Sequence, residues 1–376
     1  MTASSTEAVP PRYFGGALSD VLSSALGAAG SPDWVDALSL PPADAYVVFL
    51  IDGLGWNLLV AHPEEAPYLN TLAAVAEPIT CGVPSTTATS LTSLGTGLPP
   101  GAHGVVGYTS RIPGTDRLLD ALRWDRTVDP RQWQVYDTVF ARAAAQGLTT
   151  TIVSRPAFQG SGLTEASQRG GRFVGADSVG ERISAVVRAS ADPGSLTYVY
   201  DGELDATGHR SGSRSWAWEH QLAMVDTFAL RLREALPERV GLVVTADHGM
   251  VDVPLDGRLD VDDATDLLEG VTLFGGEARF RHLYCESGAV VDVVARWRER
   301  LGPHAWVVTR DEAIGEGWFG AVDAQVRPRL GDVMVASRRD TAVVSSLRFA
   351  HEAALVGLHG SLSADEMLVP LLVDPF

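Results

Sequence analysis

The chain has 376 residues, 45% hydrophobic and 20% charged, which is the composition of a soluble globular protein with room for one large domain or a domain with an embedded subdomain. Its formal net charge is −18, and all 29 basic residues are arginine. Such an excess of acid repels nucleic-acid polymers and anionic membranes, so neither is expected as a partner, and it repels phosphate esters too unless bound cations reverse the field locally. Cys81 and Cys285 lie far apart and form no CxxC pair, which argues against a thiolate metal site and for a reducing compartment. Residues 1–12 are polar with no signal-peptide core, and no apolar run approaches the ~20 residues of a membrane span, so a cytoplasmic protein is expected.

In chain order, residues 1–12 read as disordered and Ala17–Leu26 as a short amphipathic helix. Ala45–Ile51 is an unbroken apolar run, the pattern of a strand buried on both faces of a parallel sheet. It ends at Asp52-Gly53, at the carboxyl edge where open α/β sheets place their ligands. The segment Val83-Pro84-Ser85-Thr86-Thr87-Ala88-Thr89-Ser90 then sets five hydroxyls in six positions ahead of a helical pattern. Leu98–Gly104 reads as a loop, and residues 108–135, with Trp124 and Trp133, as an irregular surface segment over a site. A helix over Val135–Gln146, a strand over Thr149–Ser154, a helix over Val179–Ser190 and a strand over Leu196–Tyr200 repeat the rhythm of βαβ units.

Asp205 and His209 follow that last strand, four residues apart. The apolar stripe Trp218, Leu222, Val225, Ala229, Leu232 and Leu236 predicts a long helix closed by Pro237. A buried strand over Val240–Thr245 leads into Asp247-His248-Gly249. Residues 255–345 mix short strands with a helix near Val290–Leu301 and read as an inserted small α+β subdomain within a single domain spanning 1–376. His359-Gly360-Ser361 and the apolar run Met367–Val373 close the chain.

Three strands therefore deliver acids, two of them with histidine, and His359 arrives from a glycine-flanked loop. Each feature alone has a structural reading. An aspartate after a strand is a turn or cap residue, an Asp-His pair four apart is a helix-surface pair, and hydroxyls at a helix start are caps. Together, Asp52, Asp205, His209, Asp247, His248 and His359 make the mixed carboxylate and imidazole set that suits Zn²⁺, or Mn²⁺ and Fe. A nearby cation would also acidify one of the hydroxyls enough to make it a nucleophile.

The segments Phe49-Leu50-Ile51-Asp52-Gly53, Val83-Pro84-Ser85-Thr86-Thr87, Thr96-Gly97-Leu98-Pro99 with His103-Gly104, Asp205-x-x-Gly208-His209-x-x-Gly212, Thr245-x-Asp247-His248-Gly249 and His359-Gly360 resemble the alkaline phosphatase superfamily, most closely its nucleotide pyrophosphatase/phosphodiesterase branch. The resemblance implies a doubly wound, mostly parallel sheet with helices on both faces, and two divalent metal ions. One metal would take Asp205, His209 and His359. The other would take Asp52, Asp247 and His248, and would coordinate the nucleophile. Counting back from Thr-Gly-Leu-x-Pro makes Thr87 the nucleophile, and Ser90 is expected to contact a phosphate oxygen.

The arginine clamp of the phosphomonoesterase branch cannot be placed. Cys81-Gly82-Val83-Pro84-Ser85 also lacks the Cys-x-Pro-x-Arg of sulfatases, so Cys81 reads as a small buried residue. The expected activity is hydrolysis of a small-molecule phosphodiester or pyrophosphate through a covalent threonine intermediate. The alternatives are phosphonate or phosphomonoester hydrolysis on the same metals, or a non-catalytic metal-binding relative.

Overall fold

The computed structural model describes residues 7–375. Its central sheet has six strands: β1 (Ala45–Ile51), β2 (Thr150–Ser154), β3 (Arg172–Gly175), β4 (Leu196–Asp201), β5 (Val240–Thr245) and β10 (Leu371–Asp374), in the order β10-β5-β1-β4-β2-β3. Every neighbouring pair is parallel except β10 with β5. All seven residues of β1 and all six of β5 are buried, so both strands need apolar side chains on both faces. The register sets Ile51 beside Asp201 and Leu50 beside Thr245, so β1, β4 and β5 end together and discharge their following loops at one edge.

The helices cover both faces of this sheet. Relevant here are α1 (Thr87–Thr96), α2 (Val179–Ala189), α3 (Glu203–Ser211) and α4 (Trp216–Ala235). Ser178 and Glu181 form a capping box on α2, and Ser215 caps α4 by accepting from Trp218 N–H. That cap starts α4 two residues before its apolar stripe, which buries Trp218, Leu222, Val225, Phe228, Ala229 and Leu232.

Between β5 and β10 the chain builds a second, antiparallel sheet from β6 (Val271–Glu277), β7 (Phe280–Cys285), β8 (Ala305–Thr309) and β9 (Val333–Ser337), ordered β6-β7-β9-β8. Helix α5 (Val290–Leu301) packs Val293 and Trp297 against Leu283 and Val333 in a separate apolar cluster. The sheet is also bolted to the main core. Phe280, Met334 and Ala336 join the central apolar cluster, and Arg279 forms a wholly buried fork onto Glu366, with Nε to Oε1 and Nη2 to Oε2 both at 2.7 Å.

Four local expectations change. Residues 1–6 lie outside the described residues, whereas 7–12 are tied down, with Val9 N–H on Leu362 O (2.8 Å) and Arg12 N–H on Thr80 Oγ1 (2.8 Å). Within Leu98–Gly104, Pro100–His103 forms one helical turn, which proline favours at its first position and Gly104 ends at φ +78°. Residues 108–135 contain a hairpin of Thr109–Arg111 with Leu118–Asp120, and Trp124 and Trp133 are buried rather than superficial. Trp133 donates to Gly104 O and stacks under Arg329, 4.0 Å from ring centroid to guanidinium carbon. The helix expected from Val135 starts at Val139, because Thr138 caps it by accepting from Ala141 N–H.

Replacing Glu366 by alanine strands the Arg279 guanidinium in the interior. Denaturant unfolding should show a loss of about 3–5 kcal/mol. Arg131→Ala, which breaks an exposed pair with Glu165, should leave the unfolding midpoint indistinguishable from that of the wild type.

Candidate active site

The shared edge of β1, β4 and β5 sets the geometry. Asp52 follows β1 directly and anchors its N–H on Asp201 O at 2.9 Å. Gly53 then turns at φ +76°, and a Cβ built there would sit 3.0 Å from Asp205 Cβ. Glycine thus lets the start of α3 come against the end of β1. The Gly53 N–H donates to Asp247 Oδ1 (3.0 Å), which ties the loop after β1 to the loop after β5.

The six ligand-type residues meet in two groups, within each of which the ligating atoms lie within 4.8 Å of one another. In the first, His248 Nε2 is 3.4 Å from both Asp52 Oδ1 and Asp247 Oδ2, and all three residues are buried. In the second, Asp205, His209 and His359 come together, with His209 Nε2 at 3.3 Å from Asp205 Oδ2. This group is the more open one, its Asp205 and His209 side chains being 14% and 22% exposed. The two groups touch through His248 and His359, whose rings stack at 3.7 Å.

Each histidine is oriented by a backbone carbonyl. Nδ1 of His209 faces Gly357 O (2.7 Å), Nδ1 of His248 faces Gly249 O (2.9 Å), and Nδ1 of His359 faces Ser85 O (3.0 Å). A carbonyl can only accept, so Nδ1 carries the proton and Nε2 keeps its lone pair, the arrangement of a metal-ligating imidazole.

Electrostatically the cluster lacks positive charge. Burial first, and then the charges of Asp247 and Asp205, push the Asp52 carboxyl well above its ordinary value. Burial and Asp205 raise Asp247 likewise. His359 is pushed far down by burial, with His248 and His209 adding to it, so it is a neutral base. Asp52 Oδ1, Asp205 Oδ1 and Asp247 Oδ2 are buried with no hydrogen-bond partner. Orphaned carboxylate oxygens beside preset imidazole lone pairs fit hard or borderline divalent cations.

The hydroxyl cluster resolves sharply. From Cys81 to Thr96 only Thr87 is not buried, and its Oγ1 lies 3.1 Å from His248 Nε2. Ser85 Oγ donates to Ser361 O at 2.6 Å, and the Thr86 hydroxyl engages Glu277 instead of capping α1. Thr89 and Thr92 are wholly buried, since α1 is packed on more than one side. Ser90 is fully buried, with its hydroxyl against the Cys81 thiol, so its side chain is closed to a ligand arriving from solvent.

Two neighbours of the cluster went unseen in the sequence. Tyr200, on β4, donates its hydroxyl to Asp52 Oδ2. Glu277, at the end of β6, is buried between Thr86 and His359, and burial raises its carboxyl to about 8. The alternation of Tyr198 and Tyr200 on a strand ending at an acid was an available hint for the first. Glu277 reaches the site only through tertiary packing. Of the other histidines, His103 bonds Ser93 Oγ (2.9 Å) and His282 lies between Val106 O (2.8 Å) and Gly331 N (3.1 Å). Burial lowers them to about 3 and about 4, so both are neutral structural groups.

A doubly wound sheet whose carboxyl edge gathers two acid-and-histidine groups around the first residue of a helix defines a protein of the alkaline phosphatase superfamily. Within it, the chain belongs to the type I phosphodiesterase / nucleotide pyrophosphatase family, which matches residues 46–362. Among solved structures it is similar to murine ectonucleotide pyrophosphatase/phosphodiesterase 5, in an inactive threonine-to-alanine form with AMP, at TM-score 0.70 and 18% identity over 87% of each chain. It is also similar to phosphonoacetate hydrolase from Sinorhizobium meliloti in complex with phosphonoacetate, at TM-score 0.66 and 18% identity over 90% of this chain and 92% of that one. At these identities the likeness is one of fold. A comparison with curated protein sequences finds no match.

Were these six residues to hold a cation, it would stabilise the folded state by mass action. Chelator-stripped protein should gain about 2.7 kcal/mol in denaturant unfolding when Zn²⁺ or Mn²⁺ reaches a hundred times its Kd. Asp247→Asn with His209→Ala should erase that gain. An undiminished gain in the double variant would place the cation elsewhere.

Proposed function

We propose that the protein hydrolyses small-molecule phosphodiester or pyrophosphate bonds with Thr87 as nucleophile, Asp52, Asp247 and His248 holding one divalent cation, and Asp205, His209 and His359 a second. The observation that carries this reading is Thr87 itself. It is the one accessible side chain in a buried sixteen-residue stretch, Cys81 to Thr96, and it sits where the two groups meet. Zn²⁺ is the first expectation for the metal, given the paired carboxylate and imidazole donors.

Bound divalent cations supply Lewis acidity to the Thr87 hydroxyl and positive charge against phosphate oxygens. The remaining work falls to the chain. No side chain caps the first turn of α1, so its leading N–H groups stay free to hold a non-bridging phosphate oxygen beside Thr87. This is the role that Ser90, buried in the core, does not fill. Thr87 Oγ1 gives up its proton to solvent and attacks phosphorus in line, the O–P bond forms as the bond to the leaving oxygen breaks, and the leaving group takes a proton from solvent. Water then attacks the phosphothreonine ester, returning the threonine hydroxyl and releasing the second product. The inactive threonine-to-alanine form of the murine relative supports a threonine in this role.

A second reading, hydrolysis of a carbon–phosphorus bond, is favoured by the near-complete mutual coverage with phosphonoacetate hydrolase. It uses the same residues and differs only in the bond broken. Bis-p-nitrophenyl phosphate, a nucleotide sugar, ATP, p-nitrophenyl phosphate and phosphonoacetate, assayed on one metal-loaded preparation, separate the readings. The diesters and nucleotides should be turned over fastest, and a clear preference for phosphonoacetate would replace the first reading with the second. Thr87→Ala should lower turnover by on the order of 10³-fold or more with the cation content unchanged. Near-wild-type hydrolysis by that variant would remove Thr87 from the mechanism.

A further inference from the structure

The hairpin between β6 and β7 does not end in solvent. Its tip, Glu277-Ala278-Arg279, enters the core between the segment ahead of Thr87 and the loop that carries His359. Arg279 spends its charge on Glu366, and Arg281 is held by Glu352 and Val343 O, so neither guanidinium pairs with the Glu277 carboxylate. Glu277 faces the site instead. Its Oε1 accepts from Tyr108 N–H at 3.4 Å, the carboxylate takes the Thr86 hydroxyl, and Oε2 lies 3.9 Å from His359 Nδ1.

Space for this carboxylate comes from the residue after His359. Gly360 has φ +128°, and a Cβ there would stand 2.8 Å from Glu277 Cγ. Any other residue at 360 would be strained and would push the acid out. Ser85 N–H, two residues ahead of Thr87, also bonds Gly360 O at 3.1 Å. One side chain of the second sheet therefore contacts the residue before Thr87 and the residue after His359, as well as the imidazole itself.

We propose that Glu277 is a positioning residue, through which the second sheet holds the Thr87 segment and the His359 imidazole in one fixed relation. The proposal rests on the roles given above to Thr87 and His359. Its physical content has two parts. Shape is supplied by the acceptor for Thr86 and Tyr108 N–H, which fixes the backbone from which Thr87 projects. In the cation-loaded site, where the cation's positive charge would oppose the effect of burial, the ionised carboxylate would also supply charge beside the His359 Nδ1–H, whose first acceptor is only a neutral carbonyl. A carboxylate behind a ligating imidazole makes its free nitrogen a better donor, and loss of such partners typically weakens metal binding by about 10–100-fold.

Glutamine separates the two parts, since it keeps the acceptor and loses the charge. Stripped wild type, Glu277→Gln, Glu277→Ala and His359→Ala would be titrated with Co²⁺, following the visible absorption of the bound ion, and then assayed on bis-p-nitrophenyl phosphate. The expected result is a weaker second equivalent of Co²⁺, by on the order of tenfold in Glu277→Gln and up to about a hundredfold in Glu277→Ala. In Glu277→Ala kcat should fall as well, with KM little changed, while Glu277→Gln keeps most of kcat. Wild-type affinity and spectrum for both equivalents in the two Glu277 variants would overturn the proposal. Should the alanine variant fail to fold, wild-type Co²⁺ affinity in Glu277→Gln overturns it alone. If His359→Ala still binds both equivalents as wild type does, the reading of the site fails first and this inference with it.

Discussion

Three carboxylates share one edge of a buried sheet, and much of the surrounding structure manages that crowding. Asp52 and Asp247 stand in the interior with Asp205 beside them, where like charges are screened weakly: burial and then the Asp205 charge raise the proton affinity of Asp247, and burial, Asp247 and Asp205 raise that of Asp52. Hydrogen bonds from Gly53 N–H to Asp247 and from Tyr200 to Asp52 relieve part of the repulsion and leave one oxygen of each acid without a partner. Both of those oxygens lie 3.4 Å from His248 Nε2. The parallel register of β1, β4 and β5 brings the acids together, and folding stability elsewhere has to carry the cost.

That stability comes from placing the reactive loops against rigid partners. The three imidazoles are each held by a carbonyl of a different loop, at Gly357, Gly249 and Ser85. The buried Arg279–Glu366 fork fixes the turn after His359, because Glu366 also accepts from Ser361 N–H at 2.9 Å and its own carbonyl accepts from Gly249 N–H at 2.9 Å. Two ligand loops far apart in sequence, the one after β5 and the one carrying His359, are therefore cross-braced through one acid.

Features that depend on local pattern were legible in the sequence. β1 and β5 have the limits that their unbroken apolar runs suggest, since a strand buried on both faces tolerates nothing else. The six ligand-type residues could be gathered from motif order, whereas their division into two groups followed from the family resemblance. What depends on packing was not legible. Ser90 was expected at a phosphate oxygen from the family resemblance alone, yet α1 is enclosed along nearly its whole length. Trp124 and Trp133 looked like surface aromatics in an irregular stretch, but Arg329, almost two hundred residues on, covers Trp133. Glu277 is one acid among 47 in the chain, and nothing local distinguishes it from those that face water.

Charge balance then bears on the number of cations, on the proposed reading. The two groups contain three carboxylates, so a single divalent cation would leave the site net negative, within a protein that already carries −18. An anionic ester would be repelled from the residue meant to attack it. Two divalent cations leave one positive charge, which the ionised Thr87 hydroxyl neutralises as it forms. The approaching phosphate then meets a site that is neutral overall but has cationic charge at its centre, with the free N–H groups at the head of α1 facing its remaining oxygens. On that reading a second cation would be needed to admit the substrate as much as to hold a leaving group, and its proposed ligands Asp205 and His209 are the part of the cluster open to solvent, where a substrate would enter.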